Sequence, residues 1–314
     1  MRRTRLAHRC GADPTAILLP VAWRSAQLSL RRQDMQNMPR QDGGCVATND
    51  GGDEAARKTD EAVFHDQRER DRNTLSPDDF LAKYPNKRFY SITRKSRSRV
   101  LEWMRRECPG KLALDYCCGL GGNAVQLAEH GATVHAIDLS PVELKTAQGR
   151  ARDAGVADRI TFQVMDAERT TFADGTFDLI VCSGVLHHLD LQRAYPELAR
   201  ILKADGEIIC IEAMAHNPLI HWYRRRTPHL RTAWEVEHIL TVGDIDHAGK
   251  FFGQVSSEFY HLATIAAIPF LKTRFFGPIL TALELVDSVL CRLPGVRRMA
   301  WQSIFFLRKP HRAR

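Results

Sequence analysis

The sequence predicts an α/β fold: a seven-stranded, mostly parallel sheet with an antiparallel last strand, helices on both faces, an N-terminal helical lid and a helical insertion between the last two strands. Three observations lead there. From residue 111 onward, short apolar runs rich in β-branched residues alternate with stretches of helical period. The first run, 112–116, opens into a turn containing Gly119, Gly121 and Gly122. The next run closes on Asp138, nineteen residues beyond Gly119.

The elements follow in order. Strand one carries Leu112, Leu114 and Tyr116, and the turn after it has no Cβ to keep a ligand from its backbone N–H groups. Strand two (132–138) places Asp138 at the carboxyl edge of the sheet, where a carboxylate accepts both hydroxyls of a ribose. An adenosine-containing cofactor is therefore expected. Strand three (160–166) ends in Asp166, placed to accept from an adenine amino group. Strand four (177–183) opens into Gly184, Val185, Leu186, His187, His188 and Leu189, and strand five starts at Gly206. Helices are expected near 122–130, 141–154 and 190–202. Nearly continuous apolar runs suit strands covered on both faces.

Gly119, Gly121 and Ala124 also fit the G-x-G-x-x-G/A pattern of dinucleotide-binding turns. Charge separates the ligands. Asp115, four residues before Gly119, sets a negative charge toward the turn. It would repel a pyrophosphate and attract a ligand bearing an ammonium and a sulfonium. S-adenosylmethionine has both groups and is preferred to NAD.

On these residues, 111–213 resemble a class I S-adenosylmethionine-dependent methyltransferase of the small-molecule type, which has a Rossmann-like fold. The resemblance implies that Asp115, Gly119 and Gly121 cradle the methionine part of the cofactor. It implies that Asp138 holds the ribose and that Asp166, with the Ala167 backbone, reads the adenine. Cys117, Leu139 and Ser183 complete the expected cofactor set. The strand-four exit, Cys182 through His188, then borders both cofactor and substrate. The expected reaction is in-line displacement at the methyl carbon, which needs a base only for a hydroxyl acceptor. His188 and His187 are the candidate bases, with His216 third; packing against the cofactor or fixing the loop is the plainer role for the strand-four pair. Cys182-Ser183-Gly184-Val185 stands where methyltransferases of planar amides and base amines carry Asn-Pro-Pro-aromatic, so oxygen is favoured over nitrogen or carbon. A lipid-like molecule, quinone, sugar or specialised metabolite fits. A non-catalytic cofactor-binding subunit and an NAD-dependent oxidoreductase remain as alternatives.

The flanks divide as follows. Residues 1–75 are expected to be disordered, or an extension ahead of a start at Met35 or Met38. Residues 76–110 form the lid, opening on the helix start Ser76-Pro77-Asp78-Asp79. There Tyr90 is a substrate candidate, and Arg94, Lys95, Arg97 and Arg99 either meet an acidic group or form a solvated face. Residues 111–310 are the catalytic domain and 311–314 a tail. The insertion 213–253 carries His216 and Arg224, both substrate candidates beside Trp222 and Tyr223. Its histidines lack metal-ligand spacing, and no metal is expected. In the insertion 264–298, Ile279, Leu283, Val286, Leu290 and Leu293 form one stripe with Glu284, Asp287 and Arg292 off it. That stripe packs on the domain, forms a homodimer surface through 279–293, or makes a hydrophobic entrance for a lipid-like acceptor.

Composition narrows the partners. The formal charge is +8, but eight arginines against Asp13 and Asp34 concentrate it in residues 1–40. The remainder is nearly balanced, so no nucleic-acid groove is indicated. No run reaches the roughly 18 apolar residues of a membrane span, leaving peripheral contact with a membrane as the open option. The eight cysteines show no C-x-x-C spacing, which points to reduced thiols and a cytoplasmic location.

Overall fold

Seven strands hydrogen-bond into one sheet: β1 (Leu112–Tyr116), β2 (Thr133–Asp138), β3 (Ile160–Val164), β4 (Phe177–Ser183), β5 (Leu202–Ala213), β6 (Phe252–Tyr260) and β7 (Gln302–Pro310). The computed structural model describes residues 50–312. The readings made for residues 1–49, including the two candidate starts, lie outside the described residues. The strand order is β3-β2-β1-β4-β5-β7-β6. β1 to β5 pair in parallel, and β7 runs antiparallel to both β5 and β6. The order in which successive strands are added reverses between β1 and β4. The carboxyl ends of those two strands therefore flank the crevice where ligands bind in open α/β sheets.

The helices anticipated between strands are α4 (Gly122–Glu129), α5 (Pro141–Asp153) and α6 (Leu191–Ile201). Each start has a local cause. Ser140 caps α5 by accepting from Glu143 N at 2.9 Å, with Pro141 in its first turn, and Asp190 caps α6 through Gln192 N at 2.9 Å. One core fills the α6 side of the sheet, where Phe177, Tyr195, Leu198 and Phe305 are buried. The other lies under α3 (Arg94–Glu107), which buries Val100, Trp103 and Met104 with Ala113, Val181 and Ile209. Burying side chains of this size stabilises the fold by about 1.5–3 kcal/mol each.

Two expectations about the flanks are corrected. Residues 50–74 are not disordered: Asp50–Thr74 forms α1, a helix of 25 residues. Residues 76–110 do not form the lid. α2 (Pro77–Lys83) starts at Ser76 as expected, with Ser76 Oγ accepting from Asp79 N at 3.2 Å, but α3 belongs to the sheet core. Of its cations, Arg94 pairs with Glu284 at 2.5 Å and Arg99 with Glu258 at 3.1 Å, while Lys95 and Arg97 are exposed.

After β5 come α7 (Pro218–Arg226), α8 (Ala233–Glu237) and α9 (Val242–His247). Between β6 and β7 lie a 3₁₀ segment, Thr264–Phe270, and α10 (Phe276–Leu290). α10 corrects the reading of its stripe. Ile279 and Leu283 pack against a buried cluster as one alternative expected, but the buried residues are Leu280, Glu284 and Asp287, whereas Val286 and Leu293 are exposed. The two carboxylates expected on the outer face point inward because each has a partner there. Glu284 receives Arg94, and Asp287 accepts from Ala263 N at 2.6 Å and Thr264 Oγ1 at 2.8 Å.

Candidate active site

A cavity opens at the carboxyl ends of β1, β2 and β4, and α1 lies across it. Its wall on the sheet side includes Cys117, Gly119, Asp138, Leu139, Asp166 and Ser183. These six expected cofactor residues therefore meet in one place. Gly119 has φ +50°, and a Cβ built there would come within 3.2 Å of Glu143 Oε2. Cys117 lies in the turn after β1 with φ 56°, a left-handed conformation that side chains rarely adopt.

Asp138 sits where the ribose reading needs it. Its Oδ2 accepts from Gly119 N at 2.8 Å and its Oδ1 from Ser140 N at 2.9 Å. A carboxylate has about four acceptor positions, so each oxygen keeps one for a ligand hydroxyl. Burial raises its pKa above the ordinary carboxylate value, against the two backbone donors. Asp166 is also at the wall, but Oδ1 accepts from Glu168 N at 2.9 Å and Oδ2 from Lys58 Nζ at 2.7 Å.

Three cofactor readings change. Asp115 is 1% exposed and does not line the cavity. It accepts from Ala124 N at 2.8 Å, tying the end of β1 to the first turn of α4, and burial pushes its pKa up to about 7. The acidic residues that line the crevice are instead Asp138, Glu143, Asp166 and Glu168, with Glu61 opposite them on α1. Gly121 lies behind the wall at the start of α4 with φ 72°, and a Cβ there would meet Ala147 Cβ at 2.7 Å. It allows α4 to pack on α5 and does not face the ligand. Ala167 is buried and its carbonyl accepts the Tyr116 hydroxyl, leaving only its N–H for a cofactor.

The other wall is α1, which supplies Arg57, Lys58, Glu61, His65, Arg68 and Arg72. Arg57 meets Glu168 at 2.6 Å, Lys58 bridges Asp166 and Glu168 at 2.7 and 3.0 Å, and Arg68 lies 3.4 Å from Glu143. Helix and crevice are thus joined mainly by charge. Burial alone would lower the Lys58 pKa, but its three carboxylate partners outweigh burial and raise it.

His188 lies in this cavity and His187 does not. His188 Nδ1 donates to Glu61 Oε2 at 3.0 Å, which leaves Nε2 as the acceptor. Burial would depress its pKa, but the bonded Glu61 carboxylate prevails and raises it. Glu61 is held in turn by the Thr232 hydroxyl. His187 Nδ1 donates instead to Glu212 Oε2 at 2.8 Å, and Glu212 Oε1 accepts from Val185 N and Leu186 N at 2.7 and 2.8 Å. His187 thus fixes the strand-four exit, and its candidacy as a base is withdrawn.

The three substrate candidates lie apart from the cavity wall. Tyr90 is 53% exposed and packs edge-on against Trp301. His216 is exposed, and its Nε2 accepts from Val242 N at 3.4 Å at the start of α9. Arg224 donates to Glu235 O at 2.7 Å. Lys87, which sequence reasoning passed over, is the residue of 76–110 that reaches the wall. The absence of metal-ligand spacing in the sequence also missed a cluster: Glu61, His65 and His188 bring ligand atoms within 4.8 Å of one another. Arg68 lies 2.8 Å from His65 Nδ1, so a cation held there would face a guanidinium.

Fold and crevice agree with the resemblance of residues 111–213 to class I S-adenosylmethionine-dependent methyltransferases. The methyltransferase domain family matches residues 114–210. Norajmaline N-methyltransferase of Rauvolfia serpentina is 38% identical over 111 residues, 35% of this chain and 38% of that protein. Demethylmenaquinone methyltransferase of Lactiplantibacillus plantarum is 34% identical over 119 residues, 35% of this chain and 50% of that protein. The chain thus spans no more than half the length of these relatives. A Haemonchus contortus N-methyltransferase, solved with phosphomonomethylethanolamine and S-adenosylhomocysteine, superposes with a TM-score of 0.52 at 19% identity, covering 77% of this chain and 59% of that one. That likeness is one of fold. The cofactor of the class is S-adenosylmethionine, and the cradle at Gly119 and the two free acceptor positions of Asp138 suit its ribose end.

Proposed function

We propose that the chain transfers the methyl group of S-adenosylmethionine to a hydroxyl of a small-molecule acceptor. The observation that carries this reading is the Glu61–His188 pair, both members of which line the cavity that also holds Gly119 and Asp138. A methyl group on a sulfonium is already activated, because sulfur leaves as a neutral thioether. The chain's task is to hold the acceptor oxygen in line with the methyl carbon, which contributes roughly 7–11 kcal/mol when the approach is near-ideal. Asp138 fixes the ribose and Leu139 and Ser183 bound the crevice. His188 Nε2 would take the proton of the acceptor hydroxyl as that oxygen is methylated. Glu61 keeps the imidazole in the tautomer that can accept it and stabilises the imidazolium that results.

Three further features support this reading. α1 supplies Glu61 while covering the crevice, so helix closure and assembly of the base are one event. The strand-four exit is tied to the base of the cavity by Glu212, which keeps His188 in register with the cofactor. The cysteines among the described residues are free thiols, in keeping with the cytoplasmic location we assign.

The test is incubation of the full chain with methyl-labelled S-adenosylmethionine and fractions of a small-molecule extract, followed by mass identification of the labelled product. The expected result is an O-methylated small molecule together with S-adenosylhomocysteine. Cofactor binding with no turnover on any fraction, or label recovered only in protein or nucleic acid, would overturn the proposal.

A further inference from the structure

We propose that the cap between β6 and β7 docks on the surface of an anionic lipid bilayer, with α10 lying in the membrane interface. The helix is apolar on two faces: Phe276, Ile279, Leu280 and Leu283 pack inward, and a second apolar face has no partner among the described residues. An ordinary surface helix buries its apolar stripe and exposes its charges. α10 buries Glu284 and Asp287 and turns Leu285, Val286 and Val289 outward, at 66%, 45% and 60% exposure. Residues 285, 286, 289 and 293 share one helical face by their spacing, and Leu293 just beyond the helix is 44% exposed as well. The two inward carboxylates are bound by Arg94, Ala263 and Thr264, so this orientation is built into the cap.

Charge selects the occupant. Between residues 262 and 301 the chain has two acids, Glu284 and Asp287, and both are buried. Its five cations, Lys272, Arg274, Arg292, Arg297 and Arg298, are all exposed. The cap therefore shows solvent an apolar ridge and a fringe of exposed cations, of which Arg292 and Arg297 also line a cleft with Glu258. A second copy of the same face would set cation against cation, which disfavours a homodimer through 279–293. A bilayer bearing anionic headgroups matches both parts of the surface: acyl chains take the ridge and phosphates take the fringe. Among the described residues no helix is long and apolar enough to cross a membrane, so the contact is peripheral.

The experiment is sedimentation of the full chain with vesicles of phosphatidylcholine alone and of phosphatidylcholine mixed with phosphatidylglycerol. The variants are Leu285→Glu with Val289→Glu, and Arg274→Glu with Arg298→Glu. All four positions are exposed, and thermal protection by S-adenosylhomocysteine, which involves none of them, confirms that each variant is folded. The wild type is expected to partition onto the mixed vesicles, weakly onto the neutral ones, and less as salt rises. The apolar-to-acid variant should lose binding, and charge reversal should weaken it at least about ten-fold. Failure to bind either vesicle overturns the proposal. So does binding undiminished in both variants, which would assign it to the arginine-rich first 40 residues. A stable dimer in light scattering that Leu285→Glu with Val289→Glu dissociates would give the face to a second copy instead.

Discussion

Replacing Asp138 with alanine is expected to weaken S-adenosylmethionine binding by about a hundred-fold or more. Hydrogen bonds to a charged group contribute roughly 1.5–3 kcal/mol each, and two ribose hydroxyls make two of them. A loss near 3 kcal/mol is about two orders of magnitude in Kd. The same substitution releases Gly119 N and Ser140 N, the donors that hold the turn in shape, so the cradle loosens as the contact is lost. Asp166→Ala should cost less. One of its oxygens already accepts from Lys58 and the other from the Glu168 backbone, so adenine gains only a shared acceptor. Titration calorimetry on both variants checks the order. Equal or reversed losses would contradict the assignment of ribose to Asp138.

The second large effect concerns turnover. His188→Gln is expected to lower kcat by about 10²–10⁴-fold, the usual contribution of a positioned base, with cofactor affinity nearly unchanged. The pH dependence carries a sign that a packing role would not. His188 must be neutral to accept a proton, and Glu61 raises its pKa above the ordinary 6.5. The rate kcat/KM should therefore climb with pH through a limb above 6.5 and then level off. In Glu61→Gln the carboxylate is gone and burial remains, which favours neutral imidazole, so the limb should move to lower pH. A limb that stays in place in Glu61→Gln, or a His188→Gln enzyme within a few-fold of wild type, would return His188 to packing.

How much of this was legible in the sequence depended on whether a residue's role is local. The sheet was, because apolar runs of strand length separated by capped helices leave few alternatives once both faces must be covered. Asp138 and Gly119 were, because a strand end and the turn beside it are fixed in space by the strand itself. Asp115 and Gly121 sit in the same motif, yet they serve the packing of α4 on β1 and α5. A motif specifies a turn, and the side of the turn that each residue faces emerges only on folding.

The helix α1 shows the opposite limit. It has no apolar stripe, so periodicity could not reveal it. What docks it is charge complementarity with Asp166, Glu168 and Glu143, residues 75 or more positions away along the chain. The faint local signal was i,i+4 charge pairing, Glu54 with Lys58 and Asp66 with Arg70. The same reason hid Glu61 as the partner of His188. In α10 periodicity found a stripe whose Ile279 and Leu283 pack inward, but not the inward turn of Glu284 and Asp287, whose partners Arg94, Ala263 and Thr264 come from other elements.

The central claim is that the space between Asp138 and Asp166, beneath α1, accommodates an adenosine. Diffraction from crystals of the full chain grown with S-adenosylhomocysteine tests it most directly. The account predicts both ribose hydroxyls within hydrogen-bonding reach of the Asp138 oxygens, and Lys58 sharing or yielding Asp166 to the adenine amino group. Nucleoside density elsewhere, or none at saturating ligand, would contradict it.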